Sequence, residues 1–233
     1  MRRFWITMNV LYEKFMLLIF VVALLVVCYG LYDTWYVYNN ARDDDYLKYK
    51  PTYGGVPDDA PITEDMVAWV TIDDTNIDYP VMQGSDNMEY LNRNPYGEYS
   101  LSGSIFLDSR NSSDFSDYYS ILYGHHMEYG SMFGALDDFL DQDYLTRHSH
   151  GTLIVGRDGG KTYELGLFAC VKVNVYETTA LDTDATDDLL QMIQSEARSY
   201  NTSIKDSEHI LALSTCTEPV SQNRLIVFCY IYE

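Results

Sequence analysis

Cysteine, histidine and arginine form a chemically legible set when each stands at the end of a strand, and this sequence offers one of each. Cys216 closes the run HILALSTC and is followed by the polar stretch TEPVSQN. His125 lies in Tyr123-Gly124-His125-His126-Met127, at the end of another strand-like run, and Arg224 opens a third, eight residues after the cysteine. A thiolate attacks a carbonyl carbon, a guanidinium holds the oxyanion that develops, and an imidazole protonates the leaving amine. Arg suits the oxyanion role better than Lys, because its charge is permanent and its donors are fixed. Both cations favour thiolate over thiol, relative to a free-cysteine pKa of roughly 8.5. A third, acidic or amide member to orient the histidine is not evident.

The remaining cysteines read differently. Cys170 lies in LGLFACVKV and Cys229 in LIVFCYIY, strand-like apolar runs where a buried, inert thiol is expected. Cys28 sits in the apolar N-terminal stretch. Three cysteines beyond that stretch leave at least one unpaired.

Strands are expected near Val67–Ile72, Ile77–Met82, Ser104–Leu107, Tyr119–Gly124, Thr152–Gly156, Thr162–Val173, His209–Thr215 and Leu225–Tyr232. Eight short strands with turn residues between them suggest an antiparallel sandwich or barrel. A hairpin from the seventh to the eighth brings Arg224 back beside Cys216, while His125 must arrive from a separate strand. Ser131–Leu140 and the residues after it read as one or two short helices. Asp184–Tyr200 reads as a helix between strands six and seven, with Leu189, Ile193 and Ala197 recurring four apart and acids at its start.

Phe15 to Tyr32 carries no charge and is just long enough to span a bilayer. Its apolar core exceeds the usual signal-peptide length, and no small-x-small cleavage site follows, so an uncleaved anchor is expected. Arg2, Arg3 and Lys14 precede it, while Asp33 and Asp43–Asp45 follow, which places the N-terminus in the cytoplasm. The expected organisation is a cytoplasmic tail (1–14), a transmembrane anchor (15–32), a polar stalk (33–62) and a catalytic domain (63–233). The stalk's first part reads as a continuing helix that Pro51 stops.

Charge divides along the same line. The chain holds 15 Lys and Arg against 35 Asp and Glu, a net of −20. The first 32 residues have three positive and one negative charge; the rest have 12 positive and 34 negative, a net of −22. Such acidity argues against nucleic acid as a partner.

Taken together, Leu213-Ser214-Thr215-Cys216, Gly124-His125 and Arg224 closely resemble the sortases, membrane-anchored cysteine transpeptidases of Gram-positive bacteria. Ala212 stands where that family's Thr-Leu-x-Thr-Cys signature begins with Thr. The Tyr-Gly-His-His-Met run, the helix before the cysteine strand and Gly103-Ser104-Ile105-Phe106-Leu107-Asp108 resemble class B. The resemblance implies a mainly β, closed eight-stranded barrel with short helices. It implies cleavage of a sorting signal after its Thr, of the Asn-Pro-x-Thr or Pro-x-Thr-Gly type, through a thioacyl intermediate. An amine of the cell-wall peptide or of a pilin then resolves that intermediate. Cys216 is then the nucleophile, His125 the general acid/base and Arg224 the oxyanion binder. Ser214, Thr215, Tyr123 and Asn87 match the substrate groove, and no cofactor is implied.

Other groups have plainer readings. His126 points away from its neighbour; His148 and His150 lack a defined third metal ligand. Asp137, Asp138, Asp141 and Asp143 lack the spacing of a calcium loop. Two further functions remain open. A papain-like peptidoglycan hydrolase usually places Cys before His, whereas His125 precedes Cys216 here. A non-catalytic, membrane-tethered binding domain predicts no adduct on the cysteine.

Overall fold

The computed structural model describes residues 1–41, 44–51, 55–127, 130–174, 176, 179–215 and 223–233. Contacts divide the chain into two units, Met1–Asn40 and Ala41–Glu233.

The first unit is one helix, α1 (Arg2–Ala41), apolar on every side, and residues Arg2–Tyr36 are long and apolar enough to cross a membrane. Aromatic residues Tyr32, Trp35 and Tyr36 pack on one another toward its C-terminal end, the composition favoured at a membrane–water boundary.

The second unit begins with a 3-10 turn, Asp44–Tyr49, before Pro51. Nine strands follow: β1 (Met66–Ile72), β2 (Asp78–Met82), β3 (Ile105–Leu107), β4 (Tyr119–Gly124), β5 (His150–Val155), β6 (Lys161–Asn174), β7 (Ala197–Tyr200), β8 (His209–Thr215) and β9 (Asn223–Tyr232). Eight of them close a ring in the order β5-β1-β2-β3-β4-β8-β9-β6, with β6 returning to β5. The expected strands are therefore present, with ends displaced by a residue or two. The ring is not wholly antiparallel, however: β2 pairs parallel with β3, and β4 with β8. Parallel neighbours need a long crossover, which the segment before β3 and the run from β5 to β7 provide.

Period-two alternation sorts the side chains into two cores. Ala68, Val70 and Ile72 of β1, Leu122 of β4, Leu211 and Leu213 of β8, and Leu225, Val227 and Cys229 of β9 fill the barrel. Tyr119, Ile121 and Tyr123 of β4, Ile210 and Ala212 of β8, and Ile226, Phe228 and Tyr230 of β9 face outward. A bulge in β6 between Leu167 and Ala169 shifts the alternation, so that Cys170 points inward after Leu165 and Leu167. Because both faces are covered, the strands read as unbroken apolar runs.

The outer core is roofed by α3 (Asp187–Glu196), whose Leu189 and Ile193 are fully buried as its stripe predicts. The helix is shorter than expected. Ala197–Tyr200 leaves it to pair with Ala169–Val171 of β6 as β7, satisfying backbone groups that would otherwise lie open at that edge. Helical spacing at Ala197 is overridden by this pairing. The outer side of β7 meets α2 (Gln142–Arg147): Gln142 accepts from the Tyr200 N–H at 2.9 Å and donates to its carbonyl at 3.1 Å. The helical segment after the His pair is a 3-10 helix, Phe133–Leu140, leading into α2. Asp141, one of the clustered acids, caps α2 by accepting from the Tyr144 N–H.

Candidate functional site

Three adjacent strands bring His125, Tyr123, Ser214, Thr215 and Arg224 to one end of the barrel. In the parallel β4–β8 ladder Tyr123 stands opposite Ser214 and Gly124 opposite Thr215. In the antiparallel β8–β9 ladder Ser214 stands opposite Ile226, two residues beyond Arg224. His125, just past β4, Thr215, closing β8, and Arg224, near the start of β9, therefore gather at a single rim. Cys216, the residue after Thr215, lies outside the described residues, as does Thr217.

His125 is oriented by a group with no side-chain signature. Its Nε2 lies 2.8 Å from the Leu91 carbonyl oxygen. A carbonyl only accepts, so Nε2 carries the proton and Nδ1 is left to exchange protons with a reactant. This backbone contact serves as the orienting member for the ring. Its position depends on Gly103, whose φ is +58° and where a Cβ would sit 2.4 Å from that same oxygen. His126 turns elsewhere, its Nε2 2.8 Å from Asp137 Oδ2.

Arg224 lies over the face of Tyr123, with Cζ 5.8 Å from the ring centroid. Among the described residues its Nε is buried without a hydrogen-bond partner. The Tyr123 hydroxyl donates to Asp108 Oδ2 at 3.1 Å. Asp108 is completely buried and also accepts from the Arg110 fork, at 2.9 Å to each oxygen, and from Asn87 Nδ2 at 3.0 Å. Burial works against its charge, yet the Arg110 side chain and N–H, with Asn87, hold its carboxyl below the usual range. Burial, and then the Asp108 charge, push the Tyr123 phenol up, which keeps it a donor.

The remaining groove residues are tied into the backbone. Asn87 also accepts from the Ser109 N–H at 2.8 Å. Ser214 and Thr215 are buried, and Thr215 Oγ1 accepts from the Leu225 N–H at 3.0 Å, pinning the end of β8 to β9. Asp108 and Leu91 are the residues that sequence reasoning missed. Asp108 had a signal, as the last residue of the Gly103–Asp108 segment; a backbone carbonyl has none.

The two barrel thiols, Cys170 and Cys229, are out of play. Burial pushes the Cys170 thiol up to about 12, and burial likewise raises Cys229. Among the described residues no three His, Cys, Asp or Glu converge as a metal site. His148 instead stacks on Tyr144 at 3.9 Å between centroids, and His150 lies against Ser149.

Comparison with known proteins places this barrel among relatives. Residues 70–231 match the sortase domain family. Sortase B of Listeria monocytogenes is 39% identical over 165 residues, a match spanning 66% of this chain and 64% of that protein. The chain thus aligns with a little under two thirds of that relative's length. A Streptococcus pyogenes class B sortase involved in pilus biogenesis has 33% identity and a TM-score of 0.65, over 73% of this chain and 94% of that one. The substrate complex of Staphylococcus aureus sortase B gives 29% identity and a TM-score of 0.66, over 74% and 82%. A sortase B has also been solved with triglycine. A closed eight-stranded barrel, an apolar N-terminal helix and these matches lead to one assignment: the chain belongs to the sortase family, in its class B group.

Proposed function

We propose that this chain is a membrane-anchored cysteine transpeptidase that joins sorting-signal proteins to an amine. The observation that carries the reading is the convergence of His125, Arg224 and the strand leading into Cys216 at one rim, with a buried Arg224 N–H left without an acceptor.

In this reading the Cys216 thiol gives its proton to His125 Nδ1, the thiolate attacks the carbonyl carbon of the signal's Thr, and Arg224 holds the oxyanion. The tetrahedral intermediate collapses, the C–N bond breaks, and the departing amine takes a proton from His125 Nδ1, leaving a thioester. Nε2 stays hydrogen-bonded to Leu91 throughout, so the ring need not turn. An acceptor amine then attacks the thioester, gives a proton to Nδ1 and releases the thiolate. Water in place of the amine gives hydrolysis as a side reaction.

Cys216, His125 and Arg224 are thus the catalytic set, with Tyr123, Ser214, Thr215 and Asn87 along the groove. The signal is of the Asn-Pro-x-Thr or Pro-x-Thr-Gly type. The substrate complex of Staphylococcus aureus sortase B and the triglycine complex of a sortase B support a sorting signal and an amine as the two partners. The acceptor is a cell-wall peptide amine, or a pilin amine as the role of the Streptococcus pyogenes relative suggests. Residues 15–32 hold the protein in the membrane, with residues 1–14 cytoplasmic, 33–62 a stalk and 63–233 the external catalytic domain.

Incubation with signal peptides of both types should give a thioacyl adduct on Cys216 by mass spectrometry. Triglycine or a diamino acid should convert that adduct to an amide product. A Cys216→Ala protein that cleaved the same peptides would overturn the reading.

A further inference from the structure

Arg224 is held in an unusual way for a cation at a partly buried rim. Among the described residues no carboxylate pairs with it, and its Nε is buried without an acceptor. What lies against it is the ring of Tyr123. We propose that Asp108 is a positioning residue for Arg224, acting through the phenol of Tyr123, an inference that rests on the transpeptidase reading above.

Asp108 is an expensive choice for a position with no exposure, since a buried carboxylate needs its full complement of donors. It has five: the Arg110 N–H, Arg110 Nε and Nη2, Asn87 Nδ2 and the Tyr123 hydroxyl. Arg110 needs no burial for its own sake, as about half of its side chain (53%) is exposed. Asp108 instead gathers three separate segments around one point. Asn87 precedes β3, Tyr123 belongs to β4, and Arg110 reaches on to the Leu181 carbonyl at 3.0 Å, in the turn leading to α3.

The benefit falls on Arg224. A phenol that donates to a carboxylate has its ring fixed and its π-face enriched in electron density, which strengthens attraction for a cation above it. An acid placed directly on Arg224 would hold it more tightly, but would occupy the donors that an oxyanion needs. The ring holds the guanidinium by its face and does not compete for its N–H groups. The anion stays one side chain away, with its charge shared by Arg110.

The test uses the full-length chain in detergent micelles, with Asp108→Asn, Tyr123→Phe, their double variant and Arg224→Lys. Thioacyl formation with a signal peptide should slow about tenfold in each of the first two, with KM changed less than about twofold. The double variant should be no slower than either single one. On an Arg224→Lys background, Tyr123→Phe should cost less than about twofold. Tyr123→Phe keeps the ring and its packing, so it remains informative if Asp108→Asn folds poorly.

A second readout needs no substrate. In 15N-arginine-labelled protein the Arg224 Nε–H proton, identified by its loss in Arg224→Lys, should be shifted upfield by the ring below it. Asp108→Asn should move it back toward the free-arginine value. Unchanged rates, additive losses, a rise in KM alone, or an unmoved Nε–H signal would each overturn the inference. Wild-type protein that forms no adduct, yet shows the shift and its loss in Asp108→Asn, would instead overturn the transpeptidase reading and keep the Arg224 linkage.

Discussion

The two faces of β4, β8 and β9 are built from the same strands and do opposite things. The inner face carries Leu122, Leu211, Leu213, Leu225, Val227 and Cys229, joined by the small buried hydroxyls of Ser120 and, at the rim, Thr215. The outer face begins in the same way, with Tyr119, Ile210, Ala212 and Phe228, but ends at the rim in Tyr123, Ser214 and Arg224. At this end the inner face stays buried, whereas the outer face reaches solvent at Arg224. The proposed catalytic groups thus belong to the rim where a packed sheet meets solvent, with rigidity from below and access from the side. Cys229 makes the same point, since it is an inward residue of β9 and its thiol is raised by burial.

This contrast can be broken most forcefully at Arg224. Arg224→Ala should lower the rate of thioacyl formation by about 10²–10³, with little change in melting temperature. A comparable loss of stability would mean that the rim is structural. Leu213→Ala, next to Ser214 but on the inner face, should do the reverse. It should cost about 2–5 kcal/mol in urea titration, while the rate per folded molecule stays close to wild type.

Gly103→Ala tests the border between the two. A Cβ there meets the Leu91 oxygen and also forces an alanine into a left-handed conformation, a cost of about 1–3 kcal/mol. Because that oxygen holds His125, the rate should fall further than unfolding accounts for. Equal losses in rate and folded fraction would detach Gly103 from the histidine.

Acid addresses the buried charge. The Asp108 carboxyl is depressed in the folded protein, so its stabilisation is present above the unfolded value near 3.9 and is lost as pH falls through the folded value. Denaturant midpoints should therefore decline below about pH 4, and more shallowly in Asp108→Asn. The smallest effect is a null one. Cys170 and Cys229 should resist alkylation in the native protein and react only after denaturation, as peptide mapping would show.

Much of this arrangement was legible in the sequence, for a physical reason. Strands covered on both faces leave unbroken apolar runs, and their ends are marked by the polar residues that the rim requires. HILALST and LIVFCYIY announced both β8 and β9 and the rim at which the proposed catalytic residues lie. The direction of pairing was not legible, because alternation is identical in parallel and antiparallel strands; β2–β3 and β4–β8 therefore came as a correction. Nor was β7, since Ala197 continues the helical spacing of Leu189 and Ile193 and only contact with β6 decides its conformation. The Leu91 carbonyl is invisible to any reading of side chains. Asp108 stood in a quoted segment, but the reason for it needed three segments to meet.

Gln142 has a consequence beyond the fold. By engaging both the N–H and the carbonyl of Tyr200, its amide imitates a neighbouring strand and closes the side of β7 that would otherwise recruit one. Copies confined to a membrane surface, as we propose for this chain, meet one another at local concentrations far above those of free proteins. An enzyme that handles extended peptides and crowds with its own kind gains from having no spare strand edge to offer. One glutamine side chain then helps to keep neighbouring copies separate while leaving the substrate rim open.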